Sequence, residues 1–338
     1  MMITIAILRD VAIYVGPDVI HGRTSIFSPI GTPAHSILGL STLILTFALG
    51  IFLVVGGLLL YALIRFRHRP FDPHALREPA QIYGSTQIEL SWTVVPILIV
   101  FMLFLATARV IYSTEHAPKP ETALDVIVIG HQFWWEYRYP KLGIVTANEL
   151  HIPVSDPSHP TPTYLIMSSA DTNHSFWIPQ LAGKMDLIPN KVNTMWMDPA
   201  SAGLYLGQCA QYCGTQHAKM LLRVYADNPA DFAAWAARQQ QPARDDAATS
   251  EGRTVFQHNA CISCHTISGS VATGRFGPDL THLASRETIA SGAVPNTPEN
   301  IRKFVQNPYH FKPGVLMPPM HLSDRDLDAV TAYLTTLK

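Results

Sequence analysis

Apolar residues are distributed along the chain in three different rhythms. From Ile37 to Ile64 the sequence ILGLSTLILTFALGIFLVVGGLLLYALI contains no charged residue, which is longer than the ~20 apolar residues needed to cross a bilayer core. A second run, Leu90 to Ala108 (LSWTVVPILIVFMLFLATA), is also long enough, and its internal Pro96 is tolerated more readily in membrane helices than in soluble ones. Both runs predict transmembrane helices, since core helices of soluble proteins rarely extend this far without a charge. Beyond Lys119 the rhythm changes to short stretches of β-branched and aromatic residues separated by Pro and Gly: Leu124–Ile129, Phe133–Tyr139, Tyr164–Met167, Thr194–Met197, Gly203–Leu206 and Met220–Tyr225. These predict the strands of a β-sandwich. Pro229–Gln239 then reads as helical and the polar Gln240–Ser250 as a linker. From Glu251 to Lys338 a compact segment closes the chain, small enough to need a staple such as a cofactor. The predicted divisions are an N-terminal extracytoplasmic segment at 1–36, a helical hairpin at 37–112, a sandwich at 113–228, a helix and linker at 229–250 and a final domain at 251–338.

Composition agrees with a membrane component. Charged residues make up 14% of the 338 positions, well below the roughly 25% usual for soluble proteins, and the mean hydropathy is +0.14. The net charge of −1 leaves no basic excess for nucleic acid, which is dropped as a partner. Arg65, Arg67, Arg69 and Arg77 crowd between the two spans, against Arg9 and Arg23 before the first, so the loop is expected inside and both termini outside. The opening stretch runs into Arg9 and Asp10 without a convincing signal-peptide cleavage site.

The four cysteines fall as two tight pairs, Cys209 with Cys213 and Cys261 with Cys264. Pairs this close are poor loop-closing staples, so ligand or attachment chemistry is the better reading. In GQCAQYCGTQHAKM the soft-metal donors are Cys209, Cys213, His217 and Met220, with His174 upstream in DTNHSFW. Two thiolates, two imidazoles and a thioether suit copper. Thiolates so close can bridge two metals, each completed by one histidine, with Met220 and a backbone carbonyl as weak extra ligands. In the last domain Cys261-Ile-Ser-Cys264-His265 is the CxxCH pattern of covalent haem c attachment. A thioredoxin-like pair or a zinc half-site fits less well, because no second CxxC and no βαβ pattern accompany it. The remaining histidines, His35, His68, His74, His131, His282 and His321 among them, repeat no ligand spacing and receive no role.

The CxxxCxxxHxxM loop with its upstream NHSF histidine resembles the CuA domain of cytochrome c oxidase subunit II. The likeness continues through GHQFWWEYRYP at 130–140, KMDLIPNKVN at 184–193 and the preceding two-helix hairpin. RFGPDLTHL and KPGVLMPPM resemble a small class I cytochrome c. The resemblance implies a two-helix transmembrane hairpin, a cupredoxin-like β-sandwich and a small all-α cytochrome c domain, as in the caa-type haem-copper oxidases. It implies Cys209 and Cys213 as bridging ligands, His174 and His217 as terminal ligands, and Met220 and the Gln211 carbonyl as axial ligands. For the haem it implies Met317 as axial ligand opposite His265, with Met320 as the rival. Many family members carry glutamate where Gln211 stands, and its side chain helps hold magnesium. An amide is a weaker ligand for a hard cation, which puts the magnesium in doubt.

Phe133 stands where the family commonly has a tryptophan that receives electrons, leaving Phe133, Trp134 and Trp135 as candidates for that role. Two tryptophans in a strand can equally be packing. Glu89 resembles a glutamate near a proton-input pathway, although a solvated carboxylate at a helix end is nearly as good a reading.

The implied function is an electron relay from haem c through dinuclear copper to a haem of subunit I, for oxygen reduction coupled to proton translocation. The implied partners are subunits I and III, membrane lipid, and a soluble or membrane cytochrome c or an upstream respiratory complex as donor. The implied location is the bacterial cytoplasmic membrane. The chain itself offers no site for oxygen reduction, because its centres are saturated by protein ligands. A nitric oxide reductase subunit and a membrane-anchored copper-delivery protein are the alternatives. A quinol oxidase subunit would lack the copper ligands.

Overall fold

The computed structural model describes residues 24–67, 81, 83–116, 119–121, 123–156, 160–244 and 246–338. The predicted roles of Arg9, Arg23, Arg69 and Arg77 lie outside the described residues. The described chain divides into two compact units, one holding residues 35–116 and the other the remainder.

The first unit is built from two long helices, α1 (Thr32–Arg65) and α2 (Thr86–Glu115). Each is apolar enough to cross a membrane, and the most hydrophobic stretch of each has no buried residue within the chain. Their surfaces, Leu59 and Phe101 for example, are turned outward. Backbone groups in hydrocarbon must be satisfied internally, which a helix does by itself. The hydroxyls follow the same rule: those of Thr42, Thr46, Ser91 and Thr93 donate to carbonyls four residues back, at 2.8–2.9 Å. Pro96 sits inside α2 without ending it. Both helices extend beyond the predicted apolar runs, because polar end residues continue the hydrogen-bond ladder once hydrocarbon is left behind.

In the second unit ten strands form two five-stranded sheets. They are β1 (Asp125–His131), β2 (Trp134–Tyr139), β3 (Ile144–Ala147), β4 (Glu149–Pro153), β5 (Thr163–Ser169), β6 (His174–Trp177), β7 (Met185–Leu187), β8 (Asn193–Met197), β9 (Gly203–Cys209) and β10 (Leu221–Asp227). The sheet orders are β3-β2-β1-β5-β8 and β4-β10-β9-β6-β7. Burial alternates strictly along β1 and β5, as expected of strands with one face on a core. Trp135, Tyr137, Leu165, Phe176, Leu222 and Val224 fill the space between the sheets with no exposed surface. The strands β3, β4, β6 and β7 are additions to the sequence reading: they have three to five residues each and too few alternations to stand out. The predicted Gly203–Leu206 strand is longer and ends in Cys209 itself.

Helix α3 (Pro229–Gln239) lays Trp235 against Tyr139 and His151 of the sandwich, with ring centroids 5.3 and 4.5 Å away. The expected linker is partly structured. The His282 ring nitrogen lies 3.0 Å from the Gln241 carbonyl, Ala243 N–H donates to the Ser268 carbonyl, and Asp246 caps a short turn at Ala247–Thr249. α4 (Ser250–His258) then starts at the residue where the linker was expected to end.

The last domain adds α5 (Cys261–Cys264), α6 (Pro298–Gln306) and α7 (Asp324–Leu334). Thr297 and Ser323 cap the latter two with their side-chain oxygens. α4 crosses α7 at Gly252, where any Cβ would collide with the Ala329 carbonyl and the Tyr333 side chain. The domain is helical apart from a two-residue ladder, β11 (Thr288–Ile289) with β12 (Val294–Pro295).

Candidate copper and haem sites

The loop between β9 and β10 is closed at its base by the Cys209 N–H donating to the Met220 carbonyl, 2.9 Å. A rigid hairpin thus carries both ends of the loop. The Cys209 and Cys213 sulfurs lie 3.8 Å apart, His174 Nδ1 is 3.9 Å from the first and His217 Nδ1 3.7 Å from the second. Met220 Sδ is 3.9 Å from the Cys213 sulfur, and the Gln211 carbonyl is 3.2 Å from that of Cys209. All six expected copper ligands therefore converge, five of them from one short loop and His174 from β6 of the same sheet. Among the described residues, His174, Cys209 and Cys213 form the one cluster of side chains close enough to hold a metal through His, Cys or carboxylate groups.

The surroundings prepare these donors. His174 is fully buried and its Nε2 meets the Asp171 carboxylate at 2.8 Å, which turns Nδ1 toward the sulfurs. Its ring packs over Gly130, where a Cβ would lie 2.8 Å from the imidazole Cδ2. Burial alone lowers the pKa of His174, but the Asp171 carboxylate and the Cys209 sulfur more than reverse this and raise it. The Cys209 thiol is held well below its usual pKa, first by the Cys213 sulfhydryl and then, against burial, by His174 and backbone groups, while the Cys213 thiol is pushed up by the Cys209 sulfur and by burial. A pocket that stabilises one thiolate beside a second buried sulfur suits a soft cation.

The haem-type residues line one crevice. Cys261 and Cys264 sit a turn apart on α5 and, with His265 and Met317, face the same space. The His265 Nδ1–H donates to the Pro278 carbonyl at 2.8 Å, leaving Nε2 free for the crevice. Burial holds the imidazole below its usual pKa, so the ring is neutral and able to ligate. Gly277 lets this ring approach closely, since a Cβ there would lie 2.6 Å from its Cε1. Met320 also reaches the crevice, but it packs against the domain's apolar core and Met317 does not. Half-buried Arg286 lines the crevice with its Nε buried and unpartnered, a place for an acidic group of the occupant. The residues present fit a haem.

The crevice is completed by the sandwich, through Gln132, Phe133, Trp134 and Asn148. The three expected aromatic residues occupy different positions. Phe133 is buried against the copper loop, Trp134 stacks on His131 with centroids 4.1 Å apart, and Trp135 lies in the core, edge-on to His174 and Phe176. Glu89 is in the first turn of α2, remote in sequence from these groups. The supporting residues Asp171, Pro278, Gln132 and Lys312 were missed in the sequence; Asp171 alone had a signal, its place three residues before His174.

A hydrophobic hairpin, a sandwich with a soft-metal loop and a helical domain with a CxxCH crevice define a membrane-bound electron-transfer subunit. Family models match in the same order: cytochrome c oxidase subunit II, transmembrane domain, at 27–110; its periplasmic domain at 144–226; and cytochrome c at 249–338. Cytochrome c oxidase subunit 2 of Alkalihalophilus pseudofirmus is 32% identical over 293 residues, covering 85% of this chain and 82% of that protein. Quinol oxidase subunit 2 of Bacillus subtilis is 33% identical over 224 residues, covering 65% of this chain and 68% of that one. The crystal structure of the periplasmic domain of subunit II of cytochrome oxidase (CoxB) of Bradyrhizobium japonicum aligns at 26% identity, covering 36% of this chain and 97% of that one, with a TM-score of 0.34. The chain belongs to the cytochrome c oxidase subunit II family and carries a cytochrome c domain. It is part of a haem-copper oxidoreductase complex, in which subunit I is its partner.

Proposed function

We propose that the chain relays electrons to a haem of subunit I: Cys261, Cys264, His265 and Met317 would hold a haem, and the clustered soft donors of the sandwich would hold two coppers. The copper ligands in this reading are Cys209, Cys213, His174, His217, Met220 and the Gln211 carbonyl. Its main support is that all six gather around the paired Cys209 and Cys213 sulfurs, in a chain that also holds a crevice lined by the CxxCH residues. Bound there, the two groups supply reversible one-electron chemistry with their protein ligands in place. Saturated ligation disfavours oxygen binding. Asp171 and the Pro278 carbonyl orient the two buried imidazoles, while Trp135, Phe176 and Met220 keep water from the copper pocket. A site held rigidly by flanking strands changes little between redox states.

The acceptor of the whole complex is oxygen and its location the bacterial cytoplasmic membrane, with both redox domains outside; Arg65 and Arg67 at the end of α1 support this orientation. Subunit III is a further partner, and a cytochrome c or an upstream respiratory complex is the donor. Glu89 is the residue proposed for proton input, and Phe133 and Trp134 those nearest the haem crevice for electron input. Magnesium is left out, since Gln211 offers an amide where a hard cation prefers carboxylate.

The test is electron paramagnetic resonance with metal analysis on the oxidised full chain. One unpaired electron shared over two coppers, beside a low-spin haem signal, is the expected result. A single copper that a chelator removes would overturn the relay in favour of copper delivery.

A further inference from the structure

The loop that leads to Met317 is fastened to the copper domain at three successive residues. The Phe311 carbonyl accepts from Lys219 Nζ at 2.8 Å and the Pro313 carbonyl from Gln216 Nε2 at 2.7 Å. Between them Lys312 Nζ, with 2% of its surface exposed, donates to the Phe133 carbonyl at 2.7 Å. Gly314 completes the strap: its φ of +82° suits glycine, and a Cβ there would lie 2.8 Å from Thr215 Oγ1.

The copper side of the contact is equally tight. Gly214, next to the ligand Cys213, has a φ of +129°, and a Cβ on it would lie 3.0 Å from Phe133 Cζ. Gln132 donates from its side chain to the Cys213 carbonyl and from its backbone to Asp171, both at 2.6 Å. Asp171 in turn holds His174. Phe133 therefore touches the copper loop with its ring, receives the lysine on its carbonyl and faces the haem crevice. Burial lowers the Lys312 pKa to about 7, and a methionine of similar length would fill the same space without desolvating an amine. The lysine's distinctive contribution is a directed bond that fixes register.

Resting on the relay reading above, we propose that Lys312 is a positioning residue that holds the methionine loop of the haem domain against the copper loop, so that the two sites exchange electrons across the Phe133–Gly214 contact. Its role is separate from ligation, since it touches neither set of ligand atoms. The bonds from Gln216 and Lys219 are the auxiliary fastenings of the same strap.

The experiment compares the full chain with its Lys312→Met and Gln216→Ala variants. Amide hydrogen exchange is followed at residues 311–316 and 213–219, with and without copper, and haem-to-copper transfer is followed optically after pulsed reduction of the haem. Leaving the buried Phe133 carbonyl without its donor should raise exchange in both loops by roughly tenfold to a hundredfold. With both spectra intact, transfer should slow as well, because tunnelling falls steeply with separation. Unchanged exchange, or faster exchange with unchanged transfer, overturns the proposal. If Lys312→Met loses the methionine-ligated haem spectrum, Gln216→Ala decides by the same criteria, since it leaves every haem-domain side chain in place. A wild-type chain lacking the shared-copper signal would instead sink the relay reading, and this inference with it.

Discussion

Removing the Glu149 carboxylate should loosen the haem domain from the sandwich more than any other single change at that contact. Glu149 opens β4 with 4% of its surface exposed. One carboxylate oxygen accepts from Thr288 N–H and Thr288 Oγ1, each at 2.9 Å, and the other from Glu287 N–H at 3.1 Å. Arg223, paired with it across β10 and 2% exposed, lies 3.7 Å away and reaches Glu287 at 2.7 Å. Glu149→Ala would leave two amides and a hydroxyl without their acceptor, while Arg223 keeps Glu287 and Tyr225 and loses only the more distant carboxylate. Stranding a buried donor costs about 1–3 kcal/mol, so losing the acceptor of three donors at once costs at least about 3 kcal/mol, more than any single neutral hydrogen bond contributes. The exchange rates of the Glu287 and Thr288 amides in the full chain should therefore rise roughly a hundredfold to a few thousandfold. Glu149→Gln, which keeps one acceptor oxygen, should produce a smaller rise. A rise below about fivefold in Glu149→Ala would refute the reasoning, since it would place the cost under about 1 kcal/mol.

Two further outcomes are expected. Met317→Ala should abolish the low-spin, six-coordinate haem spectrum while Met320→Ala retains it with a lower melting temperature, because Met320 packs on the apolar core; the reverse spectra would exchange the two roles. Burial pushes the Glu136 carboxyl up, but hydrogen bonds from His131 and Arg138 outweigh it and hold the pKa below 4.5. Its stabilisation is thus complete above that pH and disappears as pH falls through the lower folded value. Thermal melts should show Glu136→Gln less stable than wild type at neutral pH, with the difference shrinking in acid; a constant difference would count against the pairing.

The spans and the copper loop were legible because their signals are local. An uncharged run longer than a bilayer reads the same in any context, and Cys209, Cys213, His217 and Met220 are brought together by a single hairpin. His174 was singled out as an upstream imidazole by its residue type, but its place beside the loop was not local, because it comes from β6, a four-residue strand whose burial does not alternate. Asp171, Lys312 and Gln216 were not legible as supports. Each is an ordinary polar residue in a loop, and the Lys312 partner is a backbone carbonyl 179 positions away, which no side-chain pattern encodes. The polar Gln240–Ser250 stretch is largely exposed, as its polarity predicts, but the contact of the Gln239 and Gln241 carbonyls with the ring of His282 is of the same unencoded kind.

The character of the interdomain contact follows from the covalent link. Tethering two domains through a short connection raises their effective concentration to about the millimolar range, so the contact need not supply affinity from a large apolar area. It is built instead from Glu149 with Thr288, Arg223 with Glu287, Lys312 with Phe133 and Gln216 with Pro313, groups whose net contribution to affinity is small but whose geometry is demanding. Directed bonds of this kind discriminate against shifted dockings, in which the same buried groups would lose their partners. Electron exchange between neighbouring sites depends on that register more than on the strength of association. The tether makes the encounter frequent, and the polar contact makes it reproducible.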